Sequence, residues 1–249
     1  MKSINLLTLL GVIALNGLAA TGVMSGDSIG EIANRYQSLF LPANWVFGIW
    51  SLIYAGLIAG AIYQWLPLEG ARRAVARLGW WWVIAGVLNV AWISLFSFGH
   101  YALALLVMLG FLVSLIATTE GLRATPYGPA WHERLCVIWP FDLYLAWISV
   151  AVISNSFQFA HVVGFGGFGI GEAAWSIAMM TIATGLGAWM AWARGMWIFP
   201  LVVAWAIYGI GARYAALEVI AEATRLLLPV GLLVGAIAWI VGLRRPRTP

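Results

Sequence analysis

Charge is scarce in this sequence. Only 9% of its 249 residues are Asp, Glu, Lys or Arg, whereas about 25% is usual for a soluble domain. Hydrophobic residues make up 63%, and the mean hydropathy is +0.94. One core cannot bury so large an apolar fraction, so much of the surface must face lipid. The composition excludes an ordinary soluble domain and predicts an integral membrane protein.

Cysteine and catalytic motifs are also nearly absent. Cys136 is the sole cysteine, so an intrachain disulfide is excluded, and we expect a buried, inert thiol. No HExxH, P-loop or Ser/His/Asp grouping occurs, and His100, His132 and His161 are too dispersed for a metal site. The glycine-rich stretch Gly164–Glu172 lacks the preceding strand that a phosphate loop needs, so we expect a turned loop there. No catalytic or metal-binding residue is predicted.

Eight apolar segments are long enough, or nearly long enough, to cross a bilayer. A spanning helix needs about 20 mostly apolar residues, because it rises about 1.5 Å per residue across about 30 Å of hydrocarbon. The runs are continuous rather than alternating, which favours helices over barrel strands. The predicted fold class is therefore all-α, a polytopic transmembrane helix bundle of about eight spans. The predicted spans are Ile4–Met24, Trp45–Leu66, Leu78–Phe98, Tyr101–Leu122, Leu135–Phe157, Ala173–Ala193, Met196–Ala212 and Leu226–Leu243.

Basic residues are divided unevenly between the two faces of an eight-span topology. Both termini and the loops near residues 67–77, 123–134 and 194–195 share one face, with ten basic residues against three on the other. Cytoplasmic loops carry such an excess, so both termini are predicted to be cytoplasmic, in a bacterial inner membrane. The ten are Lys2, Arg72, Arg73, Arg77, Arg123, Arg134, Arg194, Arg244, Arg245 and Arg247, and the three are Arg35, Arg213 and Arg225.

The first apolar segment has two interpretations. A lysine, an apolar stretch and then small residues are compatible with a secretory signal. The run is nevertheless long enough to span, and an uncleaved first helix is the preferred interpretation.

Two glycine pairs predict close contacts between helices. Gly56 and Gly60, and likewise Gly231 and Gly235, are four residues apart, so each pair lies on one face of its helix. Small residues at this spacing let neighbouring backbones approach. These positions predict packing rather than chemistry.

A few polar residues lie inside the predicted spans. Asp142 is either a structural group near the interface, solvated or paired with Arg134 or Arg123, or a proton-sensitive or ligand-contacting group, because carboxylates at membrane depth face partners, water or the bundle interior. Asn89 and Asn155 are explained by interhelical hydrogen bonds or, alternatively, by contact with a ligand. The residues alone leave both alternatives open.

Sixteen tryptophans are far more than usual. Those near the ends of spans are expected to be interfacial anchors: Trp45, Trp65, Trp80, Trp81, Trp131 and Trp175. Deeper aromatic residues either pack within the bundle or offer a flat face and an N–H group to a planar ligand. These deeper residues are Trp50, Tyr54, Trp92, Tyr144 and Trp147.

Three motifs resemble those of the TspO/MBR family, the tryptophan-rich sensory proteins that include the mitochondrial translocator protein. They are WVFGIWSLIY (Trp45–Tyr54), LNVAW (Leu88–Trp92) and YLAWISVAVISN (Tyr144–Asn155). They occur in the family order, at family-like spacings, on the second, third and fifth predicted spans. The resemblance covers roughly residues 1–157 and implies a TspO-like five-helix core as one domain. Residues 158–249 would then form a C-terminal extension of about three further helices.

The resemblance also implies a ligand site inside the five-helix core. In the family, a cavity capped by the loop after the first helix accepts tetrapyrroles such as protoporphyrin IX and, in some members, sterols or synthetic ligands. No cofactor is expected to be obligatory. Trp45 would lie at the rim, with Trp50 and Tyr54 in the wall. The candidate ligand-binding residues are Trp45, Trp50, Tyr54, Asn89, Trp92, Asp142, Tyr144, Trp147, Ala151 and Asn155, with Ser154 beside them.

The sequence departs from the family pattern in three places. The loop after the first helix keeps only Pro42 of the proline-rich stretch, so the lid is expected to differ. Ile93 and Ser94 replace the prolines that commonly follow the third-helix tryptophan. The basic and aromatic pattern associated with sterols is missing, since SFQFAHVV follows Asn155. Sterol binding is therefore not expected.

The leading hypothesis is a TspO-like membrane protein that binds a planar hydrophobic ligand, a tetrapyrrole, for sensing, regulation or transport. The alternative is a structural or assembly subunit of a larger membrane complex, because the extra helices offer a surface for a partner. The family often forms homodimers, so the expected partners are lipid, a hydrophobic small molecule, and a second copy or a complex subunit. A transporter coupled through Asp142 is disfavoured by the lack of internal repeats, and porphyrin breakdown is disfavoured further. Nucleic acid is not an expected partner.

Overall fold

The structure is a computed structural model that describes residues 1–36, 38–124 and 129–244. These residues form helices joined by turns, and no β-strand occurs among them, which confirms the all-α class. Arg245 and Arg247, two of the predicted cytoplasmic residues, lie outside the described part of the chain. The helices are α1 (Lys2–Ala20), α2 (Ile29–Arg35), α3 (Ile49–Tyr63), α4 (Glu69–Leu78), α5 (Trp81–Ser97), α6 (Tyr101–Arg123), α7 (Trp131–Glu133), α8 (Trp139–Val162), α9 (Glu172–Arg194), α10 (Ile198–Arg213) and α11 (Glu218–Arg244). A 3₁₀ turn, Asn44–Gly48, precedes α3, and a π-helical turn, Arg134–Ile138, joins α7 to α8.

Each of the eight predicted spans corresponds to a helix. Six continuous helical stretches are long and apolar enough to cross a membrane, and α4 with α5 adds a seventh if their 55° bend lies within one span. The helix α10 has 16 residues and is therefore about 24 Å long, shorter than the hydrocarbon core. Nine of its residues are buried, while Trp205 and Tyr208 are exposed, so protein covers much of its surface but not all of it. The polytopic helix bundle is confirmed.

The predicted loop at residues 67–77 is largely helical. Helix α4 buries Ala71, Ala74 and Leu78, which are three or four residues apart and share one face. Arg73 pairs with Glu69 one turn earlier at 2.9 Å. The sequence predicts a polar connection here because the charged face of α4 interrupts the apolar residues. Continuous apolar runs do not reveal an amphipathic helix.

The contacts of the chain divide it into two compact units. The first unit contains Met1–Arg35 and Trp50–Ile148, and the second contains Tyr36–Ile49 and residues 149–244. Helix α8 supplies its beginning to the first unit and its remainder to the second. The domains 1–157 and 158–249 remain a prediction from the resemblance.

Buried polar groups hold the helices of the first unit in register. The amide nitrogen of Asn5, in α1, donates to the side-chain oxygen of Gln64 just after α3 at 2.8 Å, and both residues are fully buried. The indole of Trp82, in α5, donates to the backbone oxygen of Asn5 at 3.0 Å. Since lipid cannot satisfy such groups, these bonds fix which faces of the helices meet.

The connection after α1 contains the short helix α2, which begins at a capping box. The backbone N–H and the hydroxyl of Ser28 both donate to the Glu31 carboxylate at 2.7 Å, and the N–H of Glu31 donates back to Ser28 at 3.3 Å. These bonds lower the pKa of Glu31. Arg35 pairs with Asp27. The connection is therefore partly ordered, and its role as a lid stays a prediction.

In the second unit, residues 38–48 form an irregular segment that contains the 3₁₀ turn Asn44–Gly48. This irregular segment receives hydrogen bonds from α9 and α10 and from the turn after α10. Within that segment, the backbone oxygen of Leu39 accepts from the Ser176 hydroxyl at 2.8 Å. The backbone oxygen of Ser38 accepts from the phenol of Tyr214 at 2.6 Å, and burial raises the pKa of that phenol. Non-helical backbone in a membrane protein needs such partners.

The predicted glycine contacts are confirmed within each unit. A Cβ atom at Gly56 would lie 2.8 Å from Pro140 Cβ, and one at Gly60 would lie 2.8 Å from the backbone oxygen of Cys136. In α11, a Cβ at Gly231 would lie 3.1 Å from Ala204 Cβ. These glycines let helices approach to backbone contact, as the spacing indicated.

Gly209 allows the irregular segment to approach α10 closely. A Cβ there would overlap Val46 Cγ2 and lie 3.1 Å from Pro42 Cβ, while the Gly209 carbonyl accepts from the Ala43 N–H at 3.1 Å. We expect Gly209→Ala to lower the free energy of unfolding by about 1–3 kcal/mol, because overpacking forces rigid neighbours apart. Thermal unfolding of the detergent-solubilised protein measures this.

Gly185→Ala is the matched control, since nothing lies within 4 Å of a Cβ at that position in α9. Its melting temperature should equal or slightly exceed that of the unaltered protein, because alanine favours helix by about 1 kcal/mol over glycine. Equal melting temperatures for the two variants would contradict the packing assigned to Gly209.

Candidate ligand site

Four of the predicted site residues form one cluster of rings in the first unit. The ring centroid of Trp50 lies 5.5 Å from Tyr54, 6.2 Å from Trp92 and 5.8 Å from Tyr144. Trp50 and Tyr54 are four residues apart and share a face of α3, while Trp92 comes from α5 and Tyr144 from α8. We call these four residues the ring cluster. All four are among the candidate ligand-binding residues, and their role in binding stays a prediction.

A chain of hydrogen bonds runs beside the ring cluster. The Asn16 amide, in α1, donates to Asn89 Oδ1 at 2.7 Å, and the Asn89 amide donates to the Tyr144 hydroxyl at 2.9 Å. Asn89 and Tyr144 are buried. The Tyr54 hydroxyl is also buried, and it has no hydrogen-bond partner among the described residues. The interior therefore combines flat apolar rings with a few polar groups, a mixture typical of small-molecule sites.

The space beside these rings is small. A cavity of about 20 Å³ lies between α1, α3, α5 and α8, and its walls include Thr8, Leu57, Trp82, Phe141 and Tyr144. One water needs about 10–15 Å³ by this kind of measure. The cavity therefore has room for a water molecule and not for a planar ligand. The rings of the ring cluster themselves contact one another.

Comparison with known families assigns the chain. The TSPO-like protein family matches residues 2–241. The chain belongs to this family. The match extends beyond the motifs of residues 1–157 and includes α9, α10 and almost all of α11, so these C-terminal helices are part of the family's own pattern. No curated protein and no solved structure matches the chain significantly.

Asp142 has a structural partner in this TSPO-like protein. Arg123 Nη2 lies 2.6 Å from both carboxylate oxygens of Asp142. The side chain of Asp142 is 2% exposed and that of Arg123 is 19% exposed. Arg134, the other candidate partner, instead donates to the backbone oxygen of Pro129 at 3.2 Å. The pairing agrees with the structural interpretation of Asp142.

The remaining predicted residues lie in different surroundings. Trp147 lies in the part of α8 that belongs to the first unit, and it is 2% exposed. Trp45 belongs to the second unit, where it is 46% exposed and its ring lies 4.9 Å from Trp205 and 5.4 Å from Tyr208. Ala151 and Asn155 also belong to the second unit, together with Ser154. The Asn155 amide donates to the Ala151 carbonyl of its own helix at 3.1 Å.

Sequence reasoning missed two sets of residues. Asn16 is as isolated in its apolar run as Asn89 is, so the reasoning applied to Asn89 could have identified it. The second set lines a groove beside the loop Gly164–Gly171, and includes Phe165, Phe168 and Glu172. The sequence signal for this groove is the presence of phenylalanines within a glycine-rich loop, next to a lone glutamate. The stretch was tested only as a phosphate loop.

The Arg123–Asp142 pair yields a stability prediction. Arg123→Leu should lower the free energy of unfolding by about 3–5 kcal/mol, because it leaves a buried carboxylate without its partner. Arg123→Leu combined with Asp142→Leu should recover much of this loss, since no buried charge remains. Thermal unfolding of the single and double variants in detergent measures the coupling.

Arg134→Leu is the control, because this arginine bonds to a backbone carbonyl rather than to Asp142. Its loss should be smaller and should not depend on the residue at position 142. A double variant as unstable as the sum of the two single variants would show that the pair is not coupled.

Proposed function

We propose that this integral membrane protein of the TSPO-like family binds a planar hydrophobic ligand, a tetrapyrrole such as protoporphyrin IX, at the ring cluster, for sensing, regulation or transport. The observation that carries the proposal is the convergence of the rings of Trp50, Tyr54, Trp92 and Tyr144 in one cluster, in which Trp92 and Tyr144 are buried. Aromatic rings stack on flat ligands and gain more than their buried area alone provides.

The polar groups beside the rings support a ligand that also carries hydrogen-bonding atoms. The Tyr54 hydroxyl is buried without a partner among the described residues, and a buried group in this state is destabilising by about 1–3 kcal/mol. A ligand that accepts or donates a hydrogen bond there would recover that free energy. The Asn16–Asn89–Tyr144 chain would orient it.

Binding at this site requires the rings to separate. The planes of Trp50 and Trp92 differ by 21°, and their centroids are 6.2 Å apart. A flat guest between two rings needs about 7 Å, twice the ~3.5 Å contact distance of carbon atoms. The two rings must therefore move apart by about 1 Å or more. The proposal includes this opening step.

A scaffold in a larger membrane complex is the second candidate function. The contacts among the rings of the ring cluster favour it, because a scaffold needs a packed interior. The second unit also exposes large aromatic side chains, with Trp192 87% exposed and Trp189 54% exposed on α9. Lipid contact explains exposed tryptophans in a membrane protein, so a stoichiometric partner is the decisive observation for this candidate.

Protoporphyrin IX titration tests the leading proposal. The ligand should quench the tryptophan fluorescence of the purified protein saturably. Trp50→Leu should weaken binding about tenfold, because it removes a stacking ring. Trp192→Leu removes an exposed tryptophan of the second unit and should leave the dissociation constant unchanged. Thermal unfolding of both variants separates lost binding from lost folding.

Unchanged binding in a folded Trp50→Leu variant would remove the ring cluster from the site. Absence of saturable quenching in the unaltered protein, together with a stoichiometric protein partner after mild solubilisation, would support the scaffold instead.

The proposed orientation places both termini in the cytoplasm of a bacterial cell. It rests on the ten-to-three division of basic residues and on an even number of spans. A reporter that is active only in the cytoplasm should therefore be active when fused to either terminus of the full chain. The same reporter inserted at Gly166, in the loop between α8 and α9, should be inactive. Activity at Gly166 would reverse the orientation, and opposite results for the two termini would mean that α10 does not span.

A further inference from the structure

A groove in the second unit is large enough for a small-molecule ligand. We call it the loop groove: it lies between the end of α8, the loop Gly164–Gly171 and the start of α9, and its volume is about 490 Å³. Ligand pockets typically have volumes of about 300–1,000 Å³. Its aromatic walls are Phe157, Phe165, Phe168 and Trp175. The groove therefore has the size and the lining of a small-molecule site.

The loop that forms one wall is held in a defined conformation. The Trp175 indole donates to the Gly167 backbone oxygen at 3.0 Å, and the Phe165 and Phe168 rings meet edge to face with centroids 5.0 Å apart. Phe168 has a φ of +55°, a left-handed conformation that is uncommon for a bulky residue. Its ring is 84% exposed. Strain of this kind clusters at ligand sites, and here it presents an aromatic face.

The charge of the loop groove is simple. Among the described residues that line it, His161 and Glu172 are the ionisable ones, and no lysine or arginine is present. With histidine counted as neutral, the lining carries one negative charge. Glu172 Oε1 accepts from the Leu39 N–H at 2.7 Å and lies 3.3 Å from His161 Nε2. These contacts hold the carboxylate beside the aromatic walls, where it remains 35% exposed.

From this combination we propose that the loop groove binds a lipophilic organic cation, with its charge beside Glu172 and its apolar body against the rings of Phe165, Phe168 and Trp175. Aromatic faces attract cations, and one carboxylate supplies the opposite charge. A small metal ion is a poor match, because Ca²⁺ requires six to eight oxygen ligands and Mg²⁺ a full octahedral set. An anionic ligand, such as a porphyrin with its carboxylates, would be repelled by Glu172.

This inference does not depend on the proposed function. The loop groove belongs to the second unit and the ring cluster to the first, and the two sites would select ligands of opposite charge. Loss of one activity therefore leaves the other measurable.

Two ions of the same shape and opposite charge test the proposal. Tetraphenylphosphonium should bind the purified full-length protein saturably in isothermal titration calorimetry in a non-ionic detergent. Tetraphenylborate should bind at least tenfold more weakly, because it has the same phenyl groups and the wrong charge. Equal saturable binding of the two ions would show a surface that selects only for hydrophobicity, as a lipid-facing groove does, and would overturn the proposal.

Variants locate the binding in the loop groove. Glu172→Gln keeps the oxygen that accepts from Leu39 and removes the charge, so tetraphenylphosphonium should bind at least tenfold more weakly. Glu218→Gln is the matched control, because Glu218 is also the first residue of a long helix of the second unit but lies outside the groove. Its affinity should equal that of the unaltered protein.

Phe168→Ala is a second variant that tests the location of binding, and it can be used if Glu172→Gln does not fold. Because its ring is exposed, the protein should remain folded, and affinity for tetraphenylphosphonium should fall about three- to tenfold. Full affinity in folded Glu172→Gln, or in Phe168→Ala, would overturn the assignment of the site.

Discussion

The exclusion of water from the bilayer core is the constraint on which the rest of this structure depends. A polar group that the sequence places in a span is stabilised by a partner within the protein, because lipid offers none. In the first unit, Asn5 bonds to Gln64, Asn16 to Asn89, and Arg123 to Asp142. Apolar helices slide and rotate against one another with little change in free energy, because lipid and leucine are equally apolar. Discrete polar pairs remove that freedom and decide which aromatic faces turn inward.

The same constraint applies to the second unit, where the groups that need hydrogen-bond partners belong to the backbone rather than to side chains. Residues 38–48 are irregular apart from the 3₁₀ turn Asn44–Gly48, so many of their amides and carbonyls lack the internal bonds of an α-helix. Trp205 donates to the Val46 carbonyl at 3.1 Å, and the Gly209 carbonyl accepts from Ala43. The short helix α10 supplies both groups. This helix is shorter than the hydrocarbon core is thick, and much of its surface packs against protein.

The positions of the helices could be predicted because hydropathy is a local property. The run length of apolar residues located a helix for each of the eight predicted spans, including the short α10. The bend between α4 and α5 was not visible, because amphipathic α4 reads as a polar loop. The choice of Arg123 over Arg134 as partner of Asp142 depends on how α6 and α8 rotate, which no local pattern encodes. Motif resemblance named Trp50, Tyr54 and Trp92 as members of one site, and their rings lie close together in the structure, but resemblance does not state whether rings enclose space or contact one another. The loop groove depends on a left-handed Phe168, a conformation that composition does not indicate.

The rings of the ring cluster contact one another, so a ligand that enters between them must first separate them. Opening the ring cluster breaks aromatic contacts that are each worth about 0.5–1.5 kcal/mol beyond burial, so the open form is a minor state. The apparent affinity of a ligand is reduced by the fraction of protein that is open. In return, a ligand that separates Trp50 from Trp92 and Tyr144 changes the contacts that α3 makes with α5 and α8. A pre-formed cavity would bind more tightly and report nothing to the rest of the bundle. A closed cluster couples binding to helix packing, which is the physical requirement for sensing within a membrane.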